Sequence, residues 1–301
     1  MKPSVWALPV FLFLIPLPSW GQNKFIPPDP YTSWDGTTHK SRYMIFSPGF
    51  MGPNALPVPY VHKARVPETV VFDLRYDHIL GSGNTTQSMV TRLAIPFAKK
   101  RIAIELEYNP IEFYTMDSAT SRLWRTSTGQ AIKGSSLGEF SFGTVIQLIE
   151  DVNHLPDMSI SMNCRTASGK GRENSRHTNS PGYYMDFSLG DTYRISPRFL
   201  QSVRWYATAG FLAWQTNLDD YPQDDALLYG LGFDLTLKGF YLNQTLRGYY
   251  GYMNNGDRPV VYRVDLGINL VKSSVVFSYE KGIRDYPFQS FQAGICIIPV
   301  R

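Results

Sequence analysis

The chain has 301 residues, with 29 Lys and Arg against 25 Asp and Glu and a net charge of +4. That near balance, and the lack of any basic run, point away from a nucleic-acid partner. Charged residues are only 18% and aromatics 14%, with 19 Tyr and 18 Phe, a composition that favours strands and tight turns over helices.

The opening stretch, MKPSVWALPVFLFLIPLPSWGQNK, sets Lys2 before an apolar run from Val5 to Leu17, then small residues at Ser19 and Gly21. This is the pattern of a secretory signal peptide spanning 1–21, cleaved after Gly21. The run is too short and too broken by proline to serve as a membrane anchor. No Cys follows the cleavage point, which argues against a lipoprotein.

Residues 22–68 are rich in proline (NKFIPPDPYTSWDG, then FSPGFMGPNALPVPYVHKARVPE). Proline excludes regular helix and central strand here, so an extended arm is expected. Phe46, Phe50, Met51, Leu56 and Tyr60 need cover, which makes the segment a periplasmic arm or a plug-like piece packed into or under the rest.

From 69 to 301 one unit repeats: an alternating run of about ten residues, then a turn. The runs are 69–80, 86–96, 101–113, 138–150, 157–167, 182–193, 203–216, 227–238, 240–252, 260–271, 274–284 and 288–300. RIAIELEYNP, opening the third, shows the pattern: Ile102, Ile104, Leu106 and Tyr108 on one face, Glu105 and Glu107 on the other. The connections at about 114–137, 168–181, 217–226 and 253–259 are long and polar, whereas KG and KSS are tight. Alternating long and short joins are expected of antiparallel strands crossing a layer.

Alternation alone fits either a soluble β-sandwich or a membrane barrel. Three features favour an all-β fold in the form of a transmembrane antiparallel β-barrel of about twelve strands. The runs have the length of a tilted membrane strand, about ten residues, where soluble strands average five or six. The polar positions carry both charge signs and no Lys: Asp73, Arg75, Glu105, Glu107, Arg165, Asp186, Arg204, Asp234, Arg247, Arg263, Asp265 and Glu280. These are the candidate lumen-lining residues, able to pair with one another across a narrow interior. Aromatics also gather near run ends (Tyr108, Phe113, Trp124, Tyr183, Tyr184, Trp214, Tyr241, Tyr249, Tyr250, Tyr252), as in an interfacial girdle.

Two elements carry a family resemblance: Gly52 to Pro59 (GPNALPVP), and Arg176, Thr178, Pro181, Tyr183 and Asp186 in an R-x-T-x-x-P-x-Y-x-x-D pattern. With GTVIQLIED at 143–151, they resemble an outer-membrane β-barrel family of Bacteroidota-type Gram-negative bacteria. The resemblance implies a barrel in the outer membrane and supplies no activity. One departure is the ending ICIIPVR, where such barrels carry a terminal aromatic residue.

Chemistry is sparse. Gly134-Ser135-Ser136-Leu137-Gly138 matches the nucleophile-elbow spacing, but a loop precedes it and a strand follows, where the motif needs strand then helix. An outer-membrane phospholipase would need a Ser and a His on neighbouring outward positions. Of His39, His62, His78, His154 and His177 only His78 falls on a strand, and no serine partner is evident. No enzyme, cofactor or metal site is therefore expected. The acidic NLDDYPQDD (Asp219, Asp220, Asp224, Asp225) reads as a solvated external loop without EF-hand spacing. GKGRENSRHTNS, with Lys170, Arg172, Arg176 and His177, reads as a charged external loop that could face lipopolysaccharide phosphates. Parity turns Cys164 to lipid and Cys296 to the lumen, on non-neighbouring strands, so two free thiols are expected. The best-fitting function is a narrow channel for a small solute. A closed structural or accessory barrel with envelope-protein partners comes second, and a lipid-modifying enzyme third.

Overall fold

In the computed structural model, residues 25–195, 199–216 and 218–298 are described, and the signal-peptide reading lies outside them. Fourteen strands form one sheet. They are β1 (Val71–Gly81), β2 (Asn84–Phe97), β3 (Ile102–Tyr108), β4 (Glu112–Met116), β5 (Ile132–Ser136), β6 (Ser141–Ile149) and β7 (Asp157–Arg165). The others are β8 (Gly182–Arg194), β9 (Leu200–Gln215), β10 (Gln223–Leu237), β11 (Phe240–Gly251), β12 (Val260–Asn269), β13 (Ser273–Arg284) and β14 (Phe288–Ile297). Neighbouring strands of the sheet pair antiparallel, β3 passing directly to β6, and β1 pairs with both β2 and β14, so the sheet closes on itself. The ring has twelve strands. β4 and β5 form a hairpin standing off the ring: the first part of β2 pairs with β4 and the second part with β3. Sequence patterning misses this hairpin.

Alternation decides which way each residue faces. Ile104 is 41% exposed while its neighbour Ala103 is fully buried. Tyr76, Phe142, Met185, Phe233 and Phe277 lie outward in the same way. A closed sheet that turns its greasy side out and its charges in is matched to lipid, not water. The tight Lys238–Gly239 turn is possible because Gly239 takes a φ of +87°, which suits a two-residue hairpin.

The connections sort by end. Those at 98–101, 150–156, 238–239 and 270–272 lie at one end, the turn end. The longer ones, 109–140, 166–181 and 252–259, lie at the other, the loop end.

Residues 25–70 make no strand and include short helical turns at Pro30–Ser33, Lys40–Tyr43 and Pro48–Phe50. Their contacts trace a path through the ring. At the loop end, Phe25 N–H donates to Met253 O and Ser47 Oγ donates to Gly256 O at 2.7 Å. Lys63 then reaches Asp234, and Arg65 reaches Asp157 at 2.7 Å near the turn end, just before β1 begins. A proline-rich segment cannot satisfy its carbonyls in a ladder, so the wall supplies donors. Arg165 Nη2 donates to Asn54 O at 2.8 Å, and Arg204 Nε to Lys63 O at 3.0 Å. Gln147 accepts from Val66 N–H at 2.8 Å and donates to Ala64 O at 2.9 Å.

Candidate functional site

The interior divides into two halves. Toward the loop end, Met44, Phe46, Met51, Leu56 and Val58 pack on Leu212, Trp214, Leu228, Tyr249 and Val261 of the wall. The contacts of this cluster are apolar. Toward the turn end a cavity of 590 Å³ lies between residues 57–68 and the wall, lined among others by Tyr60, Arg75, Arg92, Glu105, Arg204 and Tyr241.

The structure brings most of the twelve sequence-predicted charges into contact with one another or with the N-terminal segment. Arg75 Nη1 and Arg263 Nη2 both donate to Asp265 Oδ1, at 2.9 and 2.8 Å, and Arg75 also holds Asp73. Arg247 Nη2 donates to Glu280 at 2.6 Å, with Arg263 Nη1 3.4 Å from the same oxygen. Glu107 pairs with Arg92 at 2.8 Å. Glu105 and Asp186 flank His62, at 3.1 and 3.0 Å from its two ring nitrogens. Asp234 takes Lys63 at 2.8 Å, Arg204 binds Asp157 at 2.8 Å and Arg165 pairs with Glu139 at 2.5 Å. Between the two halves, three arginines on β2, β11 and β12 gather about one ring: the Cζ atoms of Arg92, Arg247 and Arg263 stand 3.3, 4.1 and 5.5 Å from the Tyr60 centroid, with Arg75 of β1 joined to Arg263 through Asp265.

Several participants carry no strand signal. Arg92 does share parity with Ser88 and Val90 and was open to the parity argument. Tyr60, His62 and Lys63 lie on no alternating run. Arg176 and His177 are the sharpest correction: the basic 166–181 connection is not a solvated loop there, for both side chains are fully buried. Arg176 donates to Glu112 Oε1 at 2.7 Å, Asn84 Oδ1 at 2.9 Å and Thr86 Oγ1 at 2.8 Å, and stacks on Tyr114 at 4.4 Å. Neither it nor His177 is free to meet lipopolysaccharide. A Cβ at Gly52 would fall 2.9 Å from Arg176 Cζ, and Gly52 N–H donates to Ser175 O at 2.8 Å. The two elements that carry the family resemblance thus pack on each other. Among the described residues His177 has no hydrogen-bond partner, Glu112 Oε1 being 3.8 Å away, and burial pushes its pKa down to about 4.

Other expectations need correcting. Trp124, Trp214 and Tyr249 are buried, Tyr184 packs on the loop-end core and Tyr241 lines the cavity, so none belongs to a girdle. Phe113, Tyr183 and Tyr252 do lie outward. The acidic NLDDYPQDD is not wholly a loop: Gln223 to Ala226 extend β10, and Asp224 is buried, while Asp219 pairs with Arg42. Ser136 of the elbow-like motif ends β5 and donates to Glu112 at 2.7 Å, with no helix after it. His78 stands opposite Gln87 and Phe291, not a serine. Cys164 and Cys296 are free thiols on β7 and β14.

No family model and no curated protein matches the chain. Among solved structures it is similar to an outer membrane channel from Pseudomonas putida F1, with a TM-score of 0.53 and 12% identity over 81% of this chain and 97% of that one. The KdgM porin gives a TM-score of 0.45 at 10% identity, covering 76% of this chain and 99% of its own. An anion-selective porin from Comamonas acidovorans gives 0.36 at 9%, covering 76% and 98%. At such identity the likeness speaks to fold, and the fold is that of an outer-membrane β-barrel.

Proposed function

We propose that the chain is an outer-membrane channel for a small polar solute, held closed by its own N-terminal segment. The observation that carries this reading is the 590 Å³ cavity inside the ring, lined by charges of both signs and stopped at the loop end by the packing of residues 44–58. A twelve-strand ring is narrower than the 16 to 18 strands of general porins. Removing the segment would leave a polar bore of solute size. The barrel sits in the outer membrane of a Gram-negative cell of Bacteroidota type after loss of residues 1–21, its loop end outward, in contact with lipid and lipopolysaccharide. Residues 22–68 act as a plug.

A closed accessory barrel is the second reading. It is favoured by the wall's many bonds to residues 47–66, which anchor the plug along its length. Planar-bilayer recording with purified mature protein separates the two. The channel reading expects small, intermittent steps that become frequent in Phe46→Ala/Met51→Ala. Silence from both proteins contradicts it and favours the accessory role.

A further inference from the structure

The loop end holds a second polar cluster, outside the charged lumen network. Asp224, on β10, and Asp257, in the β11–β12 connection, are 3% and 0% exposed. Both stand against one short stretch of backbone. Ala226 pairs with Gly251 in the β10–β11 register, which sets Asp224, two residues earlier, against the start of the 252–259 connection. Met253 N–H donates to Asp257 Oδ2 at 2.8 Å, and Asn254 N–H does so at 3.2 Å. The register and these bonds bring the two carboxylates to the same two or three residues of backbone. Gly251 makes the room: a Cβ there would lie 2.3 Å from Asp257 Oδ2.

No counter-charge meets them. Among the described residues neither carboxylate forms an ion pair. Arg258, in the same connection, stacks on Tyr250 at 4.0 Å and donates to Gly251 O. Arg165 is engaged with Glu139 and the carbonyl of Asn54. Three buried oxygens here lack a donor: Asp224 Oδ1, Asp257 Oδ1 and Asn255 Oδ1. Asn255 is 1% exposed and spends its Nδ2 on Phe46 O at 3.2 Å, which leaves its oxygen over. Two adjacent carboxylates are stable out of water only when a proton or a cation neutralises them. Hard oxygen donors on an irregular connection suit an ion that tolerates irregular geometry.

We propose that Asp224 and Asp257, with Asn255 Oδ1, form a binding site for a hard divalent cation of the Ca²⁺ class, its shell completed by backbone carbonyls and water. The site does not rest on the channel reading. It bears on it, because Ser47 and Phe46 are bonded to the same connection through Gly256 and Asn255. An ion there fixes the outer anchor of the N-terminal segment.

Terbium luminescence tests this on the full mature chain after chelator treatment. Trp214 stands opposite Asp224 in register and Tyr249 faces inward beside it, so bound Tb³⁺ would be sensitised by aromatic excitation. The expected result is saturable emission, displaced by Ca²⁺, with affinity at least tenfold weaker in Asp224→Asn and Asp257→Asn and unchanged in Asp225→Asn. Ca²⁺ should also raise the unfolding temperature of the unmodified protein. Emission that both buried variants leave unchanged would overturn the site. So would, in the unmodified protein alone, the lack of both saturable emission and a Ca²⁺-dependent shift.

Discussion

The two halves of the interior solve the same problem by opposite means. At the loop end the N-terminal segment meets the wall mainly through Phe46, Met51 and Leu56 against Leu212 and Tyr249, with Arg176 and Glu112 paired out of solvent beside them. At the turn end it meets the wall through Tyr60, His62 and Lys63 against arginines and carboxylates, and a cavity remains. Dry packing is intolerant of change because a lost group is not replaced. A wet charged wall is tolerant because water can take the place of a lost partner. The loop-end half is therefore where a lost group costs most, and the turn-end half is where open volume remains.

The largest effects belong to the loop-end half. Arg176→Ala leaves Glu112 buried and uncompensated and should cost about 3–5 kcal/mol, read as a lower unfolding temperature in detergent. Phe46→Ala removes a fully buried ring, at about 3–5 kcal/mol in the same assay, and should also raise conductance. The pH dependence comes next. His177 is neutral when folded, with its pKa near 4, whereas the unfolded chain protonates it near 6.5. The unfolded state then binds the extra proton between those values, so stability is intact above about pH 6.5 and falls toward pH 4, by roughly 3 kcal/mol. His177→Gln should flatten unfolding temperature against pH in that window. At the turn end the losses should be smaller. Arg263→Val takes from Asp265 and Glu280 one of the two arginines each holds, Arg75 and Arg247 remaining, at about 1–3 kcal/mol, and Lys63→Ala, whose ammonium is half exposed, costs no more than about 1 kcal/mol. Turn-end losses equal to those of the loop end would erase the distinction between the halves.

The wall was legible in the sequence and its contents largely were not. Period-two alternation placed Gly182–Arg194 and Phe240–Gly251 to within a residue or so, because lipid outside and charge inside impose it on every strand. It faltered where acids interrupt the pattern, as at Asp224 and Asp225, whose strand is fixed by pairing with Trp214 and Ala213. The aromatics misled for a different reason. Trp214, Tyr241 and Tyr249 have inward parity, but only an occupied lumen gives them something to pack on. Arg176 and Glu112 meet across 64 residues of sequence, and the segment carrying Arg176 has no period to read. The arginines were visible as charges. That Arg165 and Arg204 would also grip the carbonyls of Asn54 and Lys63 needed the path of the N-terminal segment, which proline excludes from strands without saying where it goes.

The central claim, that residues 44–58 close a conducting ring, is tested most directly by locking them in place. A Cβ at Gly256 would lie 4.0 Å from Ser47 Cβ, within disulfide range. Ser47→Cys/Gly256→Cys, with Cys164 and Cys296 changed to Ser, should therefore tether the segment to the β11–β12 connection. Single-channel recording should show no steps after oxidation and a return of steps after reduction. Identical steps in the oxidised and reduced protein would contradict the account.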